Sequence, residues 1–365
     1  MKILLFITGL TMGGAEKVVT SLADALAAKG HDVRIAYLTG EAVVLPTHAS
    51  IQVINLGMVA KTDAISAFFK LRKLIRDFQP DVVHSHMIHA NIMARLVRLT
   101  TPVKRLISTA HNSYAGSKLR MLAYRLTDAL ADISTNVSAE AVAAFVTAKA
   151  VKPGRMLALH NGIDTDAFAF SAAARVRLRH KLKIQEGGKL ILAVGRLNEQ
   201  KDYPNLLQAF AHLQLNVASG VQHQLCIVGE GPLREALETL AVQQGIAGRV
   251  QFLGIRQDVA ALMSAADIFV LSSACEGFGL VVAEAMACER VVVATDCGGV
   301  REVVGDSGYL VKPKDAKALA QALQTALQLP ADESTSLGRV ARQRVIDNFS
   351  LAAAVDKWLK LYAAN

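Results

Sequence analysis

Short apolar runs of strand length alternate with helical periods along almost the whole chain, and this alternation, in two series, limits the fold more than any other feature. The first series is 3–8, 33–38, 51–56, 82–86, 106–110 and 156–159, and the second is 190–194, 225–228, 250–253, 268–272 and 291–295. Several of the runs, 3–7, 190–194 and 225–228 among them, are continuously apolar, the pattern of parallel strands covered by helices on both faces. Between them the helical half of the unit is legible: Val18, Val19, Leu22 and Leu26 share one face of a helix over 15–29, and Gly30 ends it. A chain of 365 residues is long for one domain, and two series mean two sheets. We therefore expect an α/β protein of two doubly wound domains, 1–165 and 166–350, with a further helix over 351–365. The join falls around 162–188, where Gly162-Ile163-Asp164-Thr165-Asp166 and the charged stretch 175–183 separate the series. Ligands of open α/β sheets bind beyond the carboxyl ends of the strands, so an active site between the domains is expected.

A hydrophobic fraction of 52% with 19% charged residues excludes disordered and coiled-coil classes. No run reaches the roughly 20 uncharged apolar residues of a membrane-spanning helix. The apolar N-terminus, Ile3 to Ile7, reads as a first buried strand and not as a signal peptide. Cys226, Cys275, Cys288 and Cys297 form no Cys-x-x-Cys spacing, which fits a reducing cytoplasm, and Asn136-Val137-Ser138 is then a chance match to a glycosylation sequon.

The formal charge of +9 is uneven: residues 1–165 carry 19 Lys and Arg against 11 Asp and Glu, and the rest 21 against 20. Within 61–125 twelve bases face three acids, a local excess that suits an anionic membrane surface or a diphosphate. Nucleic acid is not expected, because no helix-turn-helix, RNA-binding sheet motif or zinc finger accompanies the charge. Two stretches are amphipathic. The one over 62–78 suits a core helix with a solvated face, whereas 117–130, with Leu119, Leu122 and Leu126 beside Lys118, Arg120 and Arg125, suits either a core helix or a monotopic membrane contact.

The most specific segment is Glu276-Gly277-Phe278-Gly279-Leu280-Val281-Val282-Ala283-Glu284, which follows a strand and opens a helix. Amides near Gly279 and Leu280 would form an anion site, Glu276 could bind sugar hydroxyls, and Glu284 could bind a ribose diol. A capped surface helix with an ordinary Glu is the alternative. Gly195-Arg196-Leu197-Asn198-Glu199-Gln200-Lys201 follows another strand and sets two cations, Arg196 and Lys201, where a diphosphate would lie. Gly229 and Gly231 turn the chain after the next strand. Asp164-Thr165-Asp166 and the histidines His84, His86 and His89 superficially suggest metal sites, but neither has a convincing ligand set.

Taken together these motifs resemble the retaining glycosyltransferases of family four, whose two-Rossmann architecture is called GT-B. The resemblance covers nearly the whole chain and rests on Gly13-Gly14-Ala15-Glu16, His111-Asn112, Asn161-Gly162-Ile163-Asp164, Gly195-Arg196-Leu197 with Lys201, the Glu276–Glu284 pair, and Gly298-Gly299 before Glu302. It implies that Arg196 and Lys201 bind the donor diphosphate, that Glu276 and the backbone of Phe278, Gly279 and Leu280 hold the donor sugar and phosphate, and that Glu284 binds ribose. Gly13, Gly14 and Gly229 would line the donor site, and His111 would approach the transferred sugar. It implies catalysis by His111, Glu276, Lys201 and Arg196 without a covalent protein nucleophile, no metal and no cofactor beyond a nucleotide-sugar co-substrate. It also implies that helix 351–365 returns to the N-terminal domain, which binds the acceptor. The expected reaction moves a hexosyl or N-acetylhexosaminyl group from a UDP-sugar to a lipid-linked oligosaccharide or lipopolysaccharide. The expected place is the inner face of the cytoplasmic membrane. The loop Thr11-Met12-Gly13-Gly14 lacks the lysine typical of bacterial glycogen and starch synthases. A nucleotide-sugar 2-epimerase and a non-catalytic sugar-nucleotide-binding protein remain as alternatives.

Overall fold

The computed structural model describes residues 1–112, 117–214 and 223–364. The chain divides into two compact units, Met1–Gly162 with Leu351–Asn365, and Ile163–Ser350.

Unit 1 holds β1 (Lys2–Gly9), α1 (Gly14–Ala28), β2 (Asp32–Thr39), β3 (Gln52–Asn55), α2 (Ala64–Phe78), β4 (Val82–His86), α3 (Ile88–Val97), β5 (Leu106–Ala110), α4 (Lys118–Thr127), β6 (Ile133–Asn136), α5 (Ala139–Thr147) and β7 (Met156–Ala158). Its seven strands are all parallel, in the order β3-β2-β1-β4-β5-β6-β7. Successive side chains of a strand point to opposite faces. Ile3, Leu5 and Ile7 accordingly pack with Val19, Leu22 and Leu26 of α1 and with Val355, Trp358 and Tyr362 of the C-terminal helix (Leu351–Ala363). Leu4 and Phe6 face Ala67, Leu71 and Ile75 of α2 and Ala90, Ala94 and Val97 of α3. Covering on both faces is why the run is continuously apolar.

The first series omits β6, whose Ser134, Thr135 and Asn136 are buried although polar. Its side chains are satisfied by neighbours: Ser134 Oγ accepts from Arg95 Nη2 at 2.9 Å, Thr135 Oγ1 lies 2.7 Å from Thr109 Oγ1, and Asn136 Nδ2 donates to the Asn112 carbonyl at 3.2 Å. A strand stabilised this way carries no hydrophobic signal in the sequence.

Unit 2 holds α6 (Ala172–Lys181), β8 (Leu190–Val194), α7 (Tyr203–Gln214), β9 (Gln224–Val228), α8 (Arg234–Gln243), β10 (Val250–Phe252), α9 (Val259–Ala265), β11 (Ile268–Leu271), α10 (Leu280–Ala287), β12 (Val291–Thr295), α11 (Val300–Val304), β13 (Tyr309–Val311), α12 (Ala316–Gln328) and α13 (Ala331–Phe349). Six parallel strands run β10-β9-β8-β11-β12-β13. The charged stretch expected at the join is mostly α6, an integral helix of this unit. Arg175 Nη2 and Arg179 Nη1 grip the two oxygens of Asp267 at 2.6 and 2.8 Å, and Arg175 also donates to the carbonyls that end α9. Burial would raise the Asp267 carboxyl, but the guanidinium charges and the Leu190 amide hold it below the ordinary carboxylate range. The edge strand β13, three half-buried residues, was also not anticipated.

Candidate active site

In unit 2 the strand order reverses between β8 and β11, so the loops leaving their carboxyl ends diverge and open a crevice. Lys201 lies beyond β8 and Glu276 beyond β11, and they meet: Lys201 Nζ is 2.5 Å from Glu276 Oε1. Ser273 Oγ donates to the same oxygen at 2.6 Å. Asn198 accepts from the Lys201 amide with its side chain, which shapes the turn Glu199–Lys201, and Asp202 closes that turn at φ 46°. The two loops are stitched by Ala274 N to Gln200 O at 2.8 Å, Gln200 Nε2 to Cys275 O at 2.9 Å and Ser272 Oγ to Lys201 O at 2.8 Å. Tyr203 donates its hydroxyl to Gly195 O at 3.0 Å, and burial, followed by the Glu276 charge, raises this phenol so that it stays protonated.

Gly298 completes the cradle. At φ +56° its absent Cβ would sit 1.8 Å from Glu276 O, so the strand β12 loop can press on the carboxylate loop only through glycine. Gly279, at φ 89°, caps α10; its carbonyl accepts from the Val282 and Ala283 amides at 2.9 and 3.3 Å, and the Leu280 and Val281 amides precede the first bond of the helix. The Phe278 ring points inward against Phe349, centroids 5.5 Å apart, so only its backbone can serve a ligand. Glu284 lies in the second turn of α10 and is buried. Gly229 has a packing role: a Cβ there would lie 2.0 Å from Gly195 O, so it sets the approach of the loops after β8 and β9. Arg196 is exposed and makes no ion pair among the described residues, whereas Lys201 is already engaged with Glu276. The two cations treated alike from sequence are thus in different states.

Unit 1 gathers a second group at the reversal between β1 and β4. Gly13 caps α1 without a side-chain bond, and a Cβ there would meet Glu16 Oε2 at 2.4 Å; Gly14 begins the helix. Glu16 is buried, which raises its carboxyl, and Thr11 Oγ1 donates to it at 3.3 Å. His111 follows β5, and its Nε2 is 3.1 Å from His86 Nδ1. His86 in turn lies against His84, ring centroids 3.9 Å apart, and His84 bridges Tyr362 Oη and Thr109 Oγ1, each at 2.7 Å. Burial pushes His111 down to about 4 and His84 and His86 well below the usual imidazole range, so all three are neutral at pH 7. Among the described residues His86 Nε2 is buried with no hydrogen-bond partner. A buried N–H without an acceptor is rarer than a bare acceptor. The favoured arrangement therefore has His86 donating Nδ1–H to His111 Nε2, with the His111 proton on Nδ1. The long-range contact between His86 and His111 was not anticipated from sequence.

Asp164 shapes its own turn: its Oδ1 accepts from the Asp166 and Ala167 amides at 3.1 and 2.9 Å. Among the described residues no group of three or more His, Cys, Asp or Glu could hold a metal. Two acids from outside 61–125 offset part of its basic excess, because Arg95 is buried against Asp128 and Arg98 pairs with Asp132, while the Lys104–Asp81 and Lys73–Asp77 pairs are already within the count. No helix among the described residues is long and apolar enough to cross a membrane.

Two family profiles divide the chain, "Glycosyltransferase Family 4" over residues 12–167 and "Glycosyl transferases group 1" over 175–344. A Campylobacter jejuni enzyme, GalNAc-alpha-(1->4)-GalNAc-alpha-(1->3)-diNAcBac-PP-undecaprenol alpha-1,4-N-acetyl-D-galactosaminyltransferase, is 30% identical over 100% of this chain and 98% of its own. The chain belongs to the family-four glycosyltransferases. The lipopolysaccharide core biosynthesis glycosyltransferase LpsE of Rhizobium meliloti is 33% identical over 51% of this chain and 53% of its own. Among solved structures, Anabaena HepE in complex with UDP and glucose superimposes with a TM-score of 0.85 at 21% identity, covering 99% of each chain. The fold of this glycosyltransferase is therefore GT-B, with its two parallel-sheet α/β units of seven and six strands.

Proposed function

We propose that this glycosyltransferase moves a hexosyl or N-acetylhexosaminyl group from a UDP-sugar to a lipid-linked oligosaccharide or lipopolysaccharide, with retention of anomeric configuration and without a metal. The observation that carries the reading is the Lys201–Glu276 pair at the β8/β11 reversal, beside the N-terminus of α10. Departure of a nucleoside diphosphate builds negative charge on phosphate oxygens. Lys201, Arg196 and the first amides of α10 are the groups that would stabilise that charge. Glu276 is buried, and one of its oxygens is occupied by Lys201 and Ser273. It is a held hydrogen-bond acceptor for sugar hydroxyls, a poor candidate for attack on the anomeric carbon, and this supports retention without a glycosyl-enzyme. A neutral His111 with its proton on Nδ1 is a donor to a sugar hydroxyl. Glu284 is assigned to the ribose, and Gly13 and Gly14 to the approach of the phosphate.

The UDP preference is supported by the ligand of the HepE structure, and the lipid-linked acceptor by the undecaprenol diphosphate in the name of the Campylobacter relative. Attachment to the inner face of the cytoplasmic membrane is supported by α4, where Leu119 and Leu126 are 75% and 73% exposed among exposed Lys118, Arg120 and Arg125. The test is release of nucleoside diphosphate from UDP-, GDP- and ADP-sugars in EDTA, with and without lipid-linked acceptors. Acceptor-stimulated release from a UDP-sugar, lost in Lys201→Ala, is expected. Binding of nucleotide with no release from any donor would reject a transferase, and interconversion of the free sugar nucleotide would indicate an epimerase.

A further inference from the structure

Helix α2 carries two apolar stripes, and only one has a partner. Ala67, Leu71, Ile75 and Phe78 are buried against the sheet. Ile65 and Phe69 lie outside that stripe and are 71% and 55% exposed. Facing them across a groove of about 490 Å³ are Ile92, Met93 and Leu96 of α3, and the only polar ring in the lining is His89. That volume falls within the roughly 300–1,000 Å³ of small-molecule sites. Leu38, near the carboxyl end of β2, and Met58, just past β3, also line the groove. It therefore opens at the carboxyl edge of the sheet, the edge that carries Gly13, Gly14, His86 and His111. Cations stand near it: Arg120 lies close enough to His89 to add to the effect of burial in lowering that imidazole, and Lys61 is exposed just before α2. The acid at this end, Asp63, is turned onto the Val59 and Ala60 amides at 2.9 and 2.7 Å.

We infer that the groove between α2 and α3 binds the hydrocarbon chain of the acceptor, a polyisoprenyl chain attached to a diphosphate, so that the first part of the lipid is held by the protein and not by the bilayer. The inference rests on the lipid-linked acceptor proposed above. Two features favour this occupant: an apolar recess with cations beside it matches an anionic head joined to an apolar tail, and the recess opens on the edge where the acceptor sugar would be presented. The exposed leucines of α4 offer a bilayer a face of their own, outside the groove lining. Each buried methylene multiplies lipid affinity by about fourfold, so chain length is the diagnostic variable.

The experiment is calorimetric titration of the full chain, without nucleotide sugar, by inorganic diphosphate, farnesyl diphosphate and geranylgeranyl diphosphate below their aggregation concentrations. Sedimentation with vesicles of equimolar phosphatidylcholine and phosphatidylglycerol runs in parallel. Geranylgeranyl diphosphate should bind at least about tenfold more tightly than inorganic diphosphate, with the farnesyl compound between them. The double substitution Ile65→Ser/Phe69→Ser, at exposed positions, should bring all three to the diphosphate value with an unchanged melting temperature, and Leu122→Ser on α4 should leave the series intact. Equal affinities in the wild type, or a series that survives the double substitution, overturns the inference. It is equally overturned if the double variant loses vesicle binding alone, or if a wild-type dimer becomes monomeric, since a bilayer or a second copy would then be the occupant. Release of nucleoside diphosphate is measured separately, with and without lipid-linked acceptors, so failure of the transferase reading registers there and failure of the groove registers in the titrations.

Discussion

Lys201→Met tests the site most directly, because it removes one charge and keeps the aliphatic stem. The side chains of Lys201 and Glu276 are 18% and 10% exposed, and their contact is 2.5 Å. Losing the ammonium leaves a nearly buried carboxylate oxygen with the Ser273 hydroxyl as its remaining side-chain donor. Removing one partner of a fully buried pair costs roughly 3–5 kcal/mol, and residual solvent access lowers the expectation here to about 2–3 kcal/mol. For a unit of this size that is a fall of about 4–12 °C in melting temperature. The rate of donor cleavage should fall by about 10²–10³, the usual effect of removing one charge-stabilising donor. The second variant, Lys201→Met/Glu276→Gln, separates these effects. Glutamine keeps an acceptor for Ser273 but carries no charge to leave unpaired, so stability should return to within about 1 kcal/mol of wild type while the rate stays low. Differential scanning calorimetry and UDP release measure both. A single variant costing under about 0.5 kcal/mol would show that the pair is not held as described. Recovery of rate in the double variant would show that Lys201 acts only by stabilising the loop, which would remove it from catalysis.

Four further outcomes are expected. His86→Phe should lower kcat by about 3–10-fold through loss of one hydrogen bond to His111, with donor KM held, and His86→Asn, whose amide nitrogen falls near Nδ1, should restore most of it; equal loss in both variants would reduce His86 to a packing residue. Folded-state values of His84, His86 and His111 lie below the unfolded value of 6.5, His111 at about 4, so the unfolded chain takes up protons first. Unit 1 should therefore lose stability as pH falls from about 6.5 toward about 4, and a melting temperature flat across that window contradicts the burial of the three rings. Gly298→Ala adds a Cβ 1.8 Å from Glu276 O at a positive φ, so at least about 2 kcal/mol of destabilisation with loss of donor binding is expected by calorimetry and nucleotide titration. Leu119→Ser/Leu126→Ser should weaken sedimentation with anionic vesicles while leaving the melting temperature in place, and unchanged sedimentation would remove α4 from the membrane face.

Much of this fold is legible along the chain because burial on both sheet faces favours largely apolar strands, and eleven such runs can be read directly from the sequence. The C-terminal helix is equally legible, since Val355, Trp358 and Tyr362 repeat at helical spacing and are buried together in unit 1. Two strands were not legible for a physical reason: β6 is held by hydrogen bonds between polar side chains, and β13 is a short edge. The charged residues of α6 read from sequence as part of the join because their acid, Asp267, is about ninety positions away.

Residue types and local turns, the glycines around Glu276 and the cations after β8, are properties of the sequence itself, for they follow from which backbone shapes and charges each residue permits. The pairing of those residues is not. Lys201 with Glu276 is separated by 75 positions and His86 with His111 by 25, and each pair forms because strand order sets two carboxyl ends side by side. The second stripe of α2 shows the same division: its spacing was readable as an amphipathic helix, but whether Ile65 and Phe69 enter the core or line an open groove depends on where α3 lies. Local propensity acts over a few residues, and tertiary packing alone decides which distant polar groups share a buried volume.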